Sequence, residues 1–184
     1  MRPHAALVLL LSACMAFATL PSHAQASEPQ LPLPGVRPAG QAMMRFLGFE
    51  IYQAKLWVHP SFDAANYAAH PLALELTYKR NFTAADIAKR SIQEMRRVGG
   101  FSAEQAKTWQ QALTAALPDV KPGDSLLGIY QPGAGAVFRM GGKVVGEVAD
   151  PEFSRLFFGI WLSPKTSEPA LREALIATND SARL

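Results

Sequence analysis

The stretch that most constrains the fold is RFLGFEIYQAKLWVH, which runs from Arg45 to His59. It mixes aromatic, β-branched and polar residues, and it contains one glycine, Gly48, and no proline before Pro60. This composition is typical of β-structure. It predicts one long strand at this position.

Two apolar series within this predicted strand are out of phase by one residue. They are Leu47, Phe49 and Ile51, then Ala54, Leu56 and Val58. Because side chains alternate between the faces of a strand, the switch predicts a bulge, a twist or a strand buried on both faces. Tyr52 lies at the switch, and a bulge near Gly48 would bring it to the same side as Arg45. This pair is the first candidate ligand-binding site.

The first 26 residues have the pattern of a secretory signal peptide. Arg2 is followed by an apolar run over residues 5–20 and then by the small-residue site PSHAQA. The pattern predicts cleavage after Ala26 and export to the periplasm. A lipoprotein signal ending at Cys14 is the alternative, whereas a membrane anchor is disfavoured because the run is shorter than the roughly 20 residues that span a bilayer.

Composition restricts the remaining classes. The 184 residues are 49% hydrophobic and 18% charged, which suits one globular domain. The net charge is only +3, with basic residues scattered among acidic ones, so no nucleic-acid partner is predicted. His59 and His70 do not form a ligand-spaced cluster, so neither a metal nor a cofactor is predicted. We expect a monomer with no membrane span in the mature chain.

The order of predicted elements indicates an α+β domain. A proline-rich extended lead-in at 27–42 precedes a domain at 43–178 and a tail at 179–184. Hydrophobic periods, turns and caps predict a strand at 72–80, helices at 84–98 and 103–117, strands at 125–130, 137–140 and 143–148, and helices at 151–162 and 169–177. Helices gathered against one antiparallel sheet fit this order.

Several other side chains are candidates for lining a pocket. Tyr78 and Arg80 end the inward face of the 72–80 strand and can reach a cleft mouth. Trp109 lies on the inward stripe of the second predicted helix, although buried aromatic residues more often belong to the core. The basic residues of the first helix are predicted to form a solvated face, and they are Lys89, Arg90, Arg96 and Arg97.

The motifs, taken in order, resemble a known family. They are GFEIYQAKLWV, LELTYKRNFTAADIAKRSIQEMRR, LPDVKPGDSL and DPEFSRLFFGIWLSPKTSEPALREALI. Over about residues 33 to 178 the chain resembles the bacterial chalcone isomerase-like proteins. The resemblance implies an open-faced β-sandwich, in which a large antiparallel sheet is layered with helices around a ligand cleft.

The resemblance also implies roles for particular residues. Plant isomerases of this fold use an arginine, a threonine and a tyrosine; Tyr52 best matches the threonine, and Phe82 or Thr83 the tyrosine. The arginine corresponds to Arg45 or Arg37. Fatty-acid-binding relatives keep an arginine and a tyrosine that grip a carboxylate, and Arg45 with Tyr52 is similar to that pair.

Three classes of function follow as hypotheses. The first is non-catalytic binding of a small amphipathic acid, such as a fatty acid or a phenolic compound. The second is an isomerase or intramolecular lyase acting on a phenolic or enone substrate, which requires a positioned base or water. The third is a structural or partner-binding envelope protein. An apolar tunnel favours binding, a shallow wet cleft favours catalysis, and a filled cleft favours the structural role.

Overall fold

The computed structural model describes residues 33–180, and of residues 178–180 it describes the backbone only. The predicted signal peptide at 1–26, its cleavage site at Ala26 and residues 181–184 lie outside this range. Among the helices of residues 33–180, none is both long and apolar enough to cross a bilayer.

Within residues 33–180, six antiparallel strands form one sheet in which each strand pairs with the next along the chain. They are β1 Arg37–Phe46, β2 Phe49–Val58, β3 Leu72–Tyr78, β4 Ser125–Gln131, β5 Gly135–Met140 and β6 Lys143–Val148. The predicted antiparallel sheet and its α+β class are therefore confirmed.

The described part of the chain has four α-helices, which lie in two hairpin-like pairs between and after the strands. They are α1 Ala84–Val98, α2 Ala103–Ala116, α3 Pro151–Leu162 and α4 Pro169–Asp180, with a short 3-10 helix at Ala64–Ala69. The main buried core lies between one face of the sheet and these helices. A small second cluster around Trp57 lies on the other face.

Local chemistry explains why three of the helices begin where they do. Thr83 and Ser102 each form a capping box with the third helical residue. Asp150 caps α3 by accepting hydrogen bonds from the backbone N–H groups of Glu152 and Phe153. Each cap satisfies backbone N–H groups that have no partner within the helix. The predicted starts of these helices are confirmed.

The prediction of one long strand over residues 45–58 is wrong. The chain reverses at Leu47 and Gly48, whose φ angles are 50° and 82°, so β1 and β2 form a hairpin. β1 begins at Arg37, before the predicted domain start at residue 43. Pro38 is compatible with β1 because this strand is at the edge of the sheet, where one side of the backbone needs no partner.

The predicted bulge is present, at Ile51 rather than near Gly48. Met44 pairs with Tyr52 and Arg45 pairs with Glu50, which leaves Ile51 as the extra residue in β2. Because a bulge changes which side chains face inward, Ile51 and Tyr52 both reach the same cavity. The change of phase between the two apolar series in the sequence reflects this bulge.

Helix α4 lies directly on β1. A Cβ atom added at Gly40 would collide with the backbone of Ala174 and Leu175, so glycine permits this close approach. The helix ends at Asp180, three residues beyond its predicted end at residue 177.

Candidate functional site

A cavity of about 540 Å³ lies between the sheet and the helices α1, α3 and α4. Its walls are mainly apolar. Strands contribute Met44, Ile51, Leu76 and Leu126, and helices contribute Ile87, Phe157, Ile160 and Leu171. This volume lies in the range of small-molecule pockets, and an apolar wall with few polar groups is typical of them.

Two tyrosines lie side by side in the cavity wall. Tyr52 and Tyr78 pair directly across β2 and β3, and their ring centroids are 6.1 Å apart in an edge-to-face arrangement. Trp161 Nε1 donates a hydrogen bond of 3.0 Å to the Tyr52 hydroxyl, which leaves the Tyr52 proton available to another acceptor. Tyr78 as a whole is only 4% exposed; its hydroxyl makes no hydrogen bond to residues 33–180 and is accessible from the cavity.

Both phenols are neutral at physiological pH. Burial raises the pKa of Tyr52 to about 12; the Trp161 hydrogen bond opposes this shift, and the negative charges of Glu168 and Glu94 add to it. Burial raises the pKa of Tyr78 as well, with a further contribution from Tyr52. Two neutral phenols in an apolar wall are hydrogen-bond donors for an oxygen atom of a ligand.

The backbone holds Tyr78 in place. Gly123 donates a backbone hydrogen bond of 2.9 Å to the Tyr78 carbonyl, and the Tyr78 amide donates one of 2.9 Å to the Asp124 carbonyl. Gly123 has a φ of 93°, which favours glycine. The GD motif at 123–124 is therefore a loop that fixes the end of β3 and, with it, one cavity phenol.

A charged group lines the cavity on the α1 side. Arg90 Nη2 lies 2.7 Å from Glu94 Oε1, and Ser167 Oγ donates a 2.7 Å hydrogen bond to Glu94 Oε2. Glu94 is buried, whereas the Arg90 side chain is 57% exposed and so marks the opening. Asp86 and Glu168 also line the cavity. Arg90 is the one cation among the lining residues that the structure describes.

The structure does not bring Arg45 and Tyr52 together in the cavity. Arg45 Nη2 forms an exposed ion pair of 2.7 Å with Glu50 Oε1, and Arg45 does not line the cavity. Its neighbours Met44 and Phe46 do line it, because alternate residues of β1 face opposite ways. The chain reversal at 47–48 puts Arg45 on a different strand from Tyr52, which the single-strand prediction did not allow for.

Other candidates are also placed away from the cavity. Arg37 pairs with Val58 at the far end of β1. Arg80 stacks over the Phe49 ring, with 4.3 Å between the guanidinium carbon and the ring centroid. None of these residues lines the cavity in the described part of the chain.

Trp109 is a structural residue. It is 2% exposed, and its Nε1 donates a 2.8 Å hydrogen bond to Asp150 Oδ2, the carboxylate that caps α3. It therefore joins α2 to the start of α3. The tryptophan that lines the cavity is Trp161, on α3.

Sequence reasoning missed the cavity face of α1. Arg90 was assigned to a solvated surface, but it shares a helical face with Ile87 and Glu94, and all three line the cavity. One feature of the sequence indicates that Glu94 faces inward: it lies seven residues, or two helical turns, after the apolar residue Ile87. Glu94 is buried because Arg90, Arg97 and Ser167 satisfy its carboxylate.

The site has the composition of a binding cavity and no metal centre. Among residues 33–180, no group of three or more histidine, cysteine, aspartate or glutamate side chains is arranged to hold a metal ion. The polar groups that line the cavity are two phenols, one arginine, three carboxylates, the indole of Trp161 and the hydroxyls of Ser91 and Ser167. It suits a molecule with an apolar body and an oxygen-bearing head group.

An antiparallel sheet covered by helices on one face, with a ligand-sized cavity between the layers, is the chalcone isomerase-like fold. A solved fatty-acid binding protein of Arabidopsis thaliana has this fold, with a TM-score of 0.64 and 11% sequence identity. The match covers 81% of this chain and 90% of that protein.

The family model described as chalcone isomerase-like matches residues 15–177, so the chain belongs to that family. An uncharacterized protein of Haemophilus influenzae is 26% identical over 145 residues, which cover 79% of this chain and 70% of the relative. The resemblance of the motifs is thus confirmed for family and fold.

Proposed function

We propose that the protein binds one small amphipathic molecule in the cavity between the sheet and helices α1, α3 and α4. The observation that carries the proposal is the Tyr78 hydroxyl, which lines a mainly apolar cavity and makes no hydrogen bond to residues 33–180. A hydroxyl without a protein partner in such a cavity is available to donate a hydrogen bond to an oxygen atom of a ligand.

The head group of the ligand lies against Tyr52 and Tyr78, and its apolar body lies along the cavity walls. Both hydroxyls can donate to one oxygen, because the tyrosines are direct neighbours across two strands. Such a pair can hold a carboxylate, a ketone or a phenol oxygen. Fatty acids and phenolic compounds are the ligand classes that we propose.

The surrounding charges predict weak selection for an anionic head group. Glu168 and Glu94 disfavour negative charge at the Tyr52 oxygen, whereas Arg90 favours it. These opposing effects leave little net attraction for a carboxylate. A fatty acid and its methyl ester should therefore bind with affinities that differ by less than about tenfold, a difference of less than about 1.4 kcal/mol.

The similarity to the Arabidopsis fatty-acid binding protein supports the binding class, because that protein shares this fold. We further propose export to the periplasm through the signal peptide at 1–26, with cleavage after Ala26. The support is the apolar run followed by small residues. N-terminal sequencing of the exported protein tests it, and a mature chain that begins at an acylated Cys14 would contradict it.

The direct test of the binding proposal is calorimetric titration of a saturated fatty-acid series into the protein. Each added methylene that enters the cavity should raise affinity about fourfold until the cavity is full. Mass spectrometry of molecules that co-purify with the protein would identify the natural ligand. Affinity that does not change with chain length, or the lack of any binding, would overturn the proposal.

The isomerase hypothesis has its own measurement. It requires turnover of a chalcone well above the spontaneous rate, followed by absorbance. We expect none, because the positions that match the plant threonine and tyrosine hold Tyr52 and Phe82 or Thr83. Catalysed cyclisation that is lost in Tyr78→Phe would replace the binding proposal with an enzymatic one.

A further inference from the structure

The turn between β1 and β2 presents apolar side chains to solvent. The hairpin tip consists of Phe46, Leu47, Gly48 and Phe49, and its three large side chains are 51%, 81% and 56% exposed, respectively. Exposed apolar residues that are contiguous, rather than scattered, commonly mark an interaction surface.

Leucine is an unusual residue at position 47 because of the backbone conformation there. Its φ of 50° lies in the left-handed region, and it is the one non-glycine residue with a positive φ in the described chain. Two-residue hairpin turns of this kind favour asparagine, aspartate or glycine at such a position. A leucine that is both conformationally disfavoured and mostly exposed is better explained by a role outside the fold.

Cationic side chains surround the tip. The Arg80 guanidinium lies over the Phe49 ring at 4.3 Å. Lys79 lies beside it, because its backbone N–H donates a 2.9 Å hydrogen bond to the Ile51 carbonyl in β2. Arg45, paired with Glu50, lies at the base of the same hairpin. These three cations and one acid give the tip a net positive charge, which complements an anionic surface.

The tip is continuous with the cavity, because Phe46 belongs to both. We propose that the hairpin tip docks on an anionic lipid bilayer, with Leu47 and Phe49 at the headgroup boundary, and that ligand passes between the bilayer and the cavity there. An apolar group flanked by basic residues has the composition of an interfacial membrane contact. This inference rests on the proposed function.

A bilayer fits the tip better than a second protein chain does. Stable protein interfaces bury about 800 Å² on each partner, which needs some 20 or more residues. The tip offers three apolar side chains at a narrow turn. A bilayer needs no complementary surface, and reversible contact through a small apolar element with cations suits transient docking.

The test is co-sedimentation of the protein with vesicles of phosphatidylcholine, alone or mixed with phosphatidylglycerol. Wild-type protein should bind the mixed vesicles, and binding should weaken as salt is added, because salt screens the attraction. Leu47→Asn should weaken it by roughly tenfold, through loss of an inserted apolar side chain. Asparagine suits the left-handed turn, so this variant should fold at least as well as the wild type.

Val144→Asn is the matched control. Val144 is 55% exposed in β6, at the opposite edge of the sheet from β1, so its replacement should leave vesicle binding unchanged. No binding of wild-type protein to mixed vesicles, equal binding to both vesicle types, or equal losses in the two variants would each overturn the proposal. Self-association of the protein that Leu47→Asn abolishes would also overturn the proposal, because the partner of the tip would then be a second copy of the chain and not a bilayer.

The docking and ligand proposals fail in different ways. Vesicle binding is measured without ligand, so it can fail while calorimetric titration still shows fatty-acid binding. Conversely, Leu47→Asn should leave the equilibrium affinity for a fatty acid in solution unchanged while it slows transfer of a fluorescent fatty acid from mixed vesicles. An unchanged transfer rate in this variant would overturn the role of the tip in ligand exchange.

Discussion

Replacement of Tyr78 by phenylalanine separates a binding role from a structural one. The hydroxyl of Tyr78 lies in a wall of the cavity and has no described hydrogen-bond partner, so its removal breaks no bond within residues 33–180. Phenylalanine retains the ring and its edge contact with Tyr52. The free energy of unfolding of the unliganded protein should therefore change by less than about 1 kcal/mol.

The same change should weaken ligand binding. A hydrogen bond between neutral groups contributes about 1 kcal/mol, which predicts a roughly fivefold loss of affinity for an ester. A bond to a carboxylate contributes about 1.5–3 kcal/mol, which predicts a loss of roughly tenfold or more for a fatty acid. Calorimetric titration of the ester and of the fatty acid into both proteins therefore shows whether a neutral or an anionic head group contacts the phenols.

Tyr130→Phe is the matched control for this prediction. The Tyr130 hydroxyl donates a 2.8 Å hydrogen bond to the Ala68 carbonyl, and Tyr130 does not line the cavity. Its removal should lower the free energy of unfolding by about 1–3 kcal/mol and leave affinity unchanged. The reasoning is refuted if Tyr78→Phe loses as much stability as Tyr130→Phe while its affinity for both ligands stays at the wild-type value.

Three further variants test other parts of the structure. Arg45→Ala should leave ligand affinity unchanged and should cost less than about 1 kcal/mol of stability, because the pair with Glu50 is exposed; a large loss of affinity in titration would contradict this. Trp109→Phe removes the hydrogen bond to Asp150, so urea unfolding should show a loss of about 1.5–3 kcal/mol, with ligand affinity retained. Burial raises the pKa of Tyr52 from 10.0 to about 12, so its contribution to stability is complete below pH 10 and is lost as the pH rises toward 12. Through Tyr52 alone, the free energy of unfolding should fall there by up to about 1.4 kcal/mol per pH unit. Tyr78, whose pKa is also raised, adds to the fall, and Tyr52→Phe should make it shallower.

Most of the elements could be predicted because their signals are local. Thr83, Ser102 and Asp150 cap helices through bonds to residues two or three positions away. Strand β3 alternates over its whole length, and its pattern needs no knowledge of a partner. Such signals can be read from a short window of sequence, which is why these starts agree with the structure.

The β1–β2 hairpin could not be predicted in the same way. Its turn uses Leu47 at a left-handed position where sequence rules expect asparagine or glycine, so the stretch resembles uninterrupted strand. Pro38 lies in the stretch predicted as an extended lead-in, and the structure makes it part of β1, where an edge strand accepts it. In both cases the deciding fact is the position of the strand in the sheet, which no short window contains.

The candidate site was predictable only in part. Tyr52 and Tyr78 were identified from a phase switch and a strand end, and the structure places them together in the cavity. Arg90 and Glu94 were missed, because a charged helical face becomes a cavity wall only through the position of the α3–α4 connection. Charge on a helix normally indicates solvent, and tertiary packing overrides that expectation here.

The character of the cavity walls gives a physical reason to expect an occupant. The cavity, about 540 Å³ in volume, is open to solvent on one side, and its walls are mainly apolar. Water can enter beside the exposed Arg90, but along walls such as Leu76 and Leu126 it finds few hydrogen-bond partners. An apolar chain that displaces this water, with its head group at the phenols, satisfies both the apolar walls and Tyr78. Because such a ligand binds only the folded state, its binding free energy adds to the stability of the domain.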